Sequence, residues 1–203
     1  MKPFVLVGAG QYADYVQHIL EKSLEYQVVA FSVNREFITE NDMTKNGLPV
    51  VCFEELPTKF PVAEYNVAIA MLGSDMYQTR QKLFEQCLEW GYQLPNIIHP
   101  SVIDQSESIG IGNIVGAGTV FEPFSRVGNG NVFFEYSLVP HNGVVGNYNL
   151  LSTYIVPAGN SIIGNHCFVG AGSVINNRVK LADFTLVGAT AFVAKDTKPY
   201  DVV

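Results

Sequence analysis

Acid–base chemistry near neutral pH falls first to histidine, and the chain has four: His18, His99, His141 and His166. His18 lies in a segment with helical spacing and reads as a surface residue. His99, in Ile97-Ile98-His99-Pro100-Ser101, sits in a connector and reads as structural. His166 precedes Cys167 in a repeat and reads as a solvated bend residue. His141 stands in Val139-Pro140-His141-Asn142-Gly143, two places after an apolar residue of a six-residue rhythm, which turns its side chain outward. There it fits either a plain surface histidine or a general base that takes the proton of an attacking nucleophile. Glu122 and Glu135 are outward carboxylates of the same stretch. They read as solvated charges or as substitutes for a carboxylate beside that base. A second feature is Gly8-Ala9-Gly10, between an apolar run and a helical pattern. Such a turn aims backbone amides at a phosphate; a turn that only joins strand to helix fits the same residues. The full dinucleotide fingerprint needs a third glycine, where Ala13 stands, and an acid after the second strand, where Ser32-Val33-Asn34 follows. A nicotinamide-dependent dehydrogenase is therefore not indicated.

The element that must present His141 is a repeat. Every sixth residue from Ile103 to Val193 is large and apolar, Pro157 excepted, and glycine or alanine often follows it. Four places on lie mostly small or short polar residues, such as Thr119, Ser125, Ser137, Ser161, Cys167 and Ser173. A period of six is neither helical nor a simple strand alternation. It fits short strands separated by tight bends, three to a triangular coil, with stacked coils burying one continuous core. Residues eighteen apart then stack, so Ile109, Val127, Val145, Ile163 and Leu181 form an internal column.

The first half reads as a small α/β unit. Phe4–Val7 is a buried strand, Gln11 to about Glu25 a helix, and Tyr26–Phe31 a second strand. Leu48–Val51 and Val67–Met71 are further strands, and Gln78–Trp90 is a helix ended by Gly91. Alternating strands and helices predict a parallel sheet with helices around it. The expected domains are 1–97, Rossmann-like, and 98–203, the repeat.

The 203 residues carry a net charge of −7, which does not suit a phosphate-neutralising nucleic-acid surface. No apolar run is long enough for a membrane span, and the apolar start is too brief for a signal peptide. Cys52, Cys87 and Cys167 show neither metal nor disulfide spacing, which fits a reducing cytoplasm.

The hexapeptide rhythm resembles the left-handed parallel β-helix of hexapeptide acyltransferases. The two halves together, joined by Ile97-Ile98-His99-Pro100-Ser101, resemble the group of sialic acid O-acetyltransferases and nucleotide-amino-sugar N-acetyltransferases of the bacillosamine type. Many members begin Gly-x-Gly-Gly-His where this chain has Gly8-Ala9-Gly10-Gln11-Tyr12. The resemblance implies nucleotide-sugar binding by Gly8, Gly10, Gln11, Tyr12 and Asn34, with Val33 beside them. It implies a catalytic base at His141, with Asn142 where the family has a carboxylate. It also implies an oxyanion-facing N–H at Gly159, acetyl-CoA along a groove near Ala171, a homotrimer with active sites between subunits, and no metal. A second family histidine falls at Leu150 here.

Asn142 can orient the imidazole but brings no charge to stabilise imidazolium. An amine nucleophile attacks before losing its proton and needs less help than a hydroxyl. The leading expectation is thus an acetyl-CoA-dependent N-acetyltransferase for a nucleotide-linked amino sugar in surface glycan assembly, cytoplasmic. The alternatives are O-acetylation of a sialic-acid-type sugar, a non-catalytic sugar-nucleotide-binding prism, and a γ-type metal hydratase. The last needs about three converging histidines, and the repeat supplies only His141 and His166.

Overall fold

Apolar side chains on both faces bury a strand completely, and Phe4–Val7 forms β1, an inner strand of a five-stranded sheet. The computed structural model describes residues 2–38, 43–73, 75 and 78–203. It divides into Met1–Leu72 with Thr79–Pro95, and Gly73–Gln78 with Asn96–Val203. In the first unit β2 is Val28–Val33, β3 Thr44–Lys45, β4 Leu48–Cys52 and β5 Asn66–Ile69, in the order β3-β4-β2-β1-β5. β1, β2, β4 and β5 pair in parallel; β3 is antiparallel to β4. That hairpin turns on Asn46-Gly47, both at positive φ (52° and 78°), the signature of a tight two-residue turn. Helix α1 spans Gln11–His18, continues as a π turn over Ile19–Ser23, and so divides the single helix expected there. Helix α2 is the short Leu56–Lys59. Helix α3 is Gln78–Glu89. It ends with Gly91 at φ 93°, whose N–H donates to Leu88 while Tyr92 N–H donates to Cys87, a Schellman cap.

Gly8 turns the chain from β1 toward α1 at φ 119°, and a Cβ there would lie 2.5 Å from the Ala70 carbonyl oxygen. Alanine at this position meets both a disfavoured conformation and a backbone clash. Gly8→Ala is expected to destabilise the protein by about 2–4 kcal/mol in urea melts; an unchanged midpoint would contradict this account of the turn.

In the second unit, two-residue strands stack into a left-handed parallel β-helix. The expected column appears as drawn from the spacing: Ile109, Val127, Val145, Ile163 and Leu181 face their counterparts in register. The large residues fill the interior, with Phe121 and Phe133 packed edge to face at 5.1 Å. Ile103 is the exception. It pairs with Val120, one residue out of step, and is 56% exposed, while Val102 packs on the core in its place. The six-step rhythm is locked only from Ile109 on.

Asparagines make a second interior ladder. Asn113, Asn131 and Asn149 are buried, and each Oδ1 accepts the backbone N–H of the residue eighteen places on. Their Nδ2 groups donate to the carbonyls of Gly128, Gly146 and Gly164. Each such bond contributes about 1 kcal/mol. Cys167 takes the next place in that column, its Sγ 3.2 Å from the Ala182 carbonyl. Burial raises its thiol to about 11, so it packs as an unreactive small side chain.

Candidate functional site

The bends of the prism bring residues eighteen apart side by side, and one bend stacks Pro123, His141, Gly159 and Asn177. His141 lies directly over Gly159: a Cβ on Gly159 would meet the imidazole Nε2 and lie 2.5 Å from Cε1. The ring therefore occupies space that only glycine leaves. His141 N–H donates to Glu122 Oε2 at 2.7 Å, which ties the backbone of the bend to the coil above. Asn142, at φ 56°, places its Nδ2 3.1 Å from His141 Nδ1. For Nε2 to accept a proton, Nδ1 must carry the ring hydrogen. The Asn142 amide then presents Oδ1, the same heavy-atom geometry with oxygen and nitrogen exchanged.

Backbone donors along this bend are taken, with one exception. Pro123 has none, His141 N–H is held by Glu122, and Asn177 N–H donates to Asn176 Oδ1 at 2.9 Å. Gly159 N–H has no acceptor among the described residues. A free N–H thus sits beside an exposed imidazole, the pair of groups an acyl transfer needs.

The ladder of coils is interrupted at the same place. Leu138–Val139 and Val156–Pro157 face each other but belong to separate three-stranded sheets. Pro140 has no N–H for the bond that Glu122 and Ala158 make at equivalent positions, with Val139 and Ile175. Ile155, fully buried, fills the slot that Ser137 and Ser173 hold in neighbouring coils. Proline and an oversized side chain give up regular pairing where His141 is presented.

Other expected residues fall elsewhere. Ala171 is on a different bend, between Phe168–Val169 and Val174–Ile175, so one prism does not bring it to His141. Leu150 is buried in its strand. Glu135 lies on the bend that carries Ala171. His99 Nδ1 accepts the Ser101 N–H at 3.2 Å, consistent with a structural role. His166 is not solvated. It is 7% exposed and stacks between Tyr148 (5.4 Å) and Phe184 (4.8 Å) in an aromatic column continued by Tyr200. Among the described residues no group of three or more His, Cys, Asp or Glu is arranged to hold a metal. No helix there is long and apolar enough to cross a membrane.

The first unit has its own site. A cavity of about 350 Å³ lies at the C-terminal ends of β1, β2 and β5, where the strand order reverses about β1, the place where open parallel sheets bind ligands. Gly8, Gly10, Gln11, Tyr12, Val33 and Asn34 all line it. Gly10 is the N-cap of α1 without a side-chain cap, and a Cβ there would meet nothing within 4 Å.

No protein-family model matches the chain, nor does any curated protein. Solved structures do. The acetyltransferase domain of PglB from Neisseria gonorrhoeae FA1090 superposes with a TM-score of 0.87 at 20% identity, over 100% of this chain and 96% of that one. A histidine-to-asparagine variant of perosamine N-acetyltransferase from Caulobacter crescentus, in complex with CoA and GDP-perosamine, gives 0.87 at 24%, over 100% and 93%. WeeI from Acinetobacter baumannii AYE gives 0.86 at 22%, over 100% and 96%. The fold is shared from end to end. It is a small parallel α/β unit followed by a left-handed β-helix, as the hexapeptide resemblance implied.

Proposed function

We propose that the chain is an acetyl-CoA-dependent N-acetyltransferase for a nucleotide-linked amino sugar, with residues 1–97 holding the nucleotide and 98–203 carrying the chemistry. The observation that carries this reading is the His141 imidazole lying over Gly159, whose N–H is free. The fold shared with PglB's acetyltransferase domain and perosamine N-acetyltransferase adds support.

In the proposed reaction the amine nitrogen of the sugar attacks the thioester carbonyl carbon, and the carbonyl π electrons move to oxygen. Gly159 N–H donates to that oxyanion. His141 Nε2 takes a proton from the nitrogen. Collapse breaks the C–S bond, and the proton returns to the departing sulfur as the free thiol of CoA. Asn142 Oδ1 accepts from Nδ1–H throughout and holds the tautomer. Because an amide adds no charge, the site suits an amine better than a hydroxyl.

Assembly completes the site in this reading. Val156, Val174 and Phe192 are exposed, point outward from one prism face, and adjoin the stacked, exposed Tyr136 and Tyr154 (5.0 Å). An apolar stripe of this kind is a surface that soluble monomers rarely leave uncovered. A homotrimer of prisms covers it, and a neighbouring copy brings the Ala171 bend to the His141 bend, where acetyl-CoA lies. A cytoplasmic location follows from the substrates.

The decisive assay is thiol release from acetyl-CoA with UDP-, dTDP- and GDP-linked amino sugars against their hydroxy counterparts. Turnover of hydroxy sugars alone would replace this reading with O-acetylation, and no turnover of any acceptor would leave a binding prism. Gly10→Val provides a second check. Since Cβ space at Gly10 is open in the protein, its thermal midpoint should stay within a few degrees. Its KM for the nucleotide-sugar should rise roughly 10-fold or more, because the side chain fills the path of the phosphates.

A further inference from the structure

The ligand cleft of the first unit has two compartments of unlike character. The cavity of about 350 Å³ is walled chiefly by Val7, Val33, Phe37, Met71 and Leu83. Among the hydroxyls of the described lining residues, Ser32 Oγ is fully enclosed and has no hydrogen-bond partner. A buried hydroxyl without a partner is costly, and Ser32 lines this cavity. The second compartment, about 460 Å³, shares Ala9, Gly10, Val33 and Phe37 with the first and adds Thr44, Lys45 and Val50. Lys45 is the only cation among the described residues lining either compartment.

Lys45 is held in a particular way. It projects from the β3–β4 hairpin with Nζ 2.8 Å from Asp14 Oδ1 and 5.7 Å from the centre of the Phe31 ring. Asp14 stands in the first turn of α1, where the helix end favours a negative charge. Asn46 Nδ2 also donates to Asp14 at 2.8 Å and can keep doing so if Lys45 departs. Lys45 and Asn46 together hold the Asp14 carboxyl below the usual carboxylate range.

We infer that Lys45 is the residue that binds the phosphate groups of the ligand, and that Asp14 is its resident counter-ion, exchanged for phosphate when the nucleotide enters. The inference rests on the proposed nucleotide-binding role of this unit. The flat, apolar part of the ligand occupies the first compartment against Ser32. Its diphosphate lies by Gly10 and the uncapped amides of α1, within reach of Lys45. Binding costs Lys45 one partner and gains it a doubly charged one. Asp14 retains Asn46.

The inference assigns opposite signs to two neighbouring residues. Titration calorimetry of the intact protein with UDP, dTDP and GDP, each against its nucleoside, reads both. Lys45→Met should weaken diphosphate binding roughly 10- to 100-fold, as expected for loss of a charge-assisted hydrogen bond, and leave nucleoside binding unchanged. Lys45→Arg should retain most of the diphosphate affinity. Asp14→Asn should tighten diphosphate binding about 2- to 5-fold, since it removes a competing, half-exposed ion pair. If the wild type binds a diphosphate and all three variants keep the same diphosphate-to-nucleoside ratio, the inference is wrong while the nucleotide-binding role stands. If the wild type binds none of the six compounds, that role falls and this inference with it. Circular dichroism melts of each variant separate loss of binding from loss of fold.

Discussion

His141→Asn will lower kcat by about 10²–10⁴, the range for removal of a general base, with little change in the KM of either substrate. The variant keeps a polar side chain of similar reach and the Glu122 bond, which uses the backbone N–H of residue 141. The bend should therefore stay folded, and the thermal midpoint should move little. The loss should fall on kcat because the imidazole acts on the nitrogen during attack and not on the resting ligands. An Asn variant that turns over within a few-fold of the wild type would remove His141 from the chemistry.

Gly159→Ala will cost nearly as much, for a different reason. Gly159 does not use the left-handed backbone region, so alanine brings no conformational strain of its own. The N–H is also retained. What changes is space: the new Cβ falls where the imidazole lies. The ring must move by an ångström or more, and a displacement of that size costs on the order of 10²-fold in a positioned reaction. Because both substitutions act through the same ring, His141→Asn combined with Gly159→Ala should be little worse than His141→Asn alone. Additive losses would mean that the added methyl group harms the reaction independently of His141. Full activity in Gly159→Ala would mean that the ring does not work from its place over residue 159.

The prism was legible because its interior repeats: one large apolar residue every sixth place fixes strand, bend and column together. The same rhythm failed at Ile103, where the first coil starts one residue out of step. It was silent about the asparagine ladder, although Asn113, Asn131 and Asn149 recur at eighteen-residue spacing and that spacing was the available signal. His166 was misread although Tyr148 and Phe184 stand eighteen residues to either side of it: the six-residue reading followed the interior positions and not the bends that stack beside them. In the first unit, strands with continuous apolar runs were found. The two-residue β3 was not, despite the Asn46-Gly47 turn that makes it. The residues expected to hold a nucleotide-sugar were placed by resemblance, in the first loop and after the second strand. Lys45 and Ser32 were missed because neither belongs to a motif, and each acquires meaning only from what faces it.

A stack of identical steps also sets rules for changes in chain length. Loss of six residues between His141 and Gly159 would turn everything downstream by one face of the triangle, and Asn165 would arrive beneath the imidazole. Loss of a whole coil beyond Gly159 would shorten the rod and leave every remaining side chain on its original edge. Insertions and deletions here act like the gearing of a screw: the rod tolerates complete turns, and a fraction of one moves other residues onto the edge that carries His141.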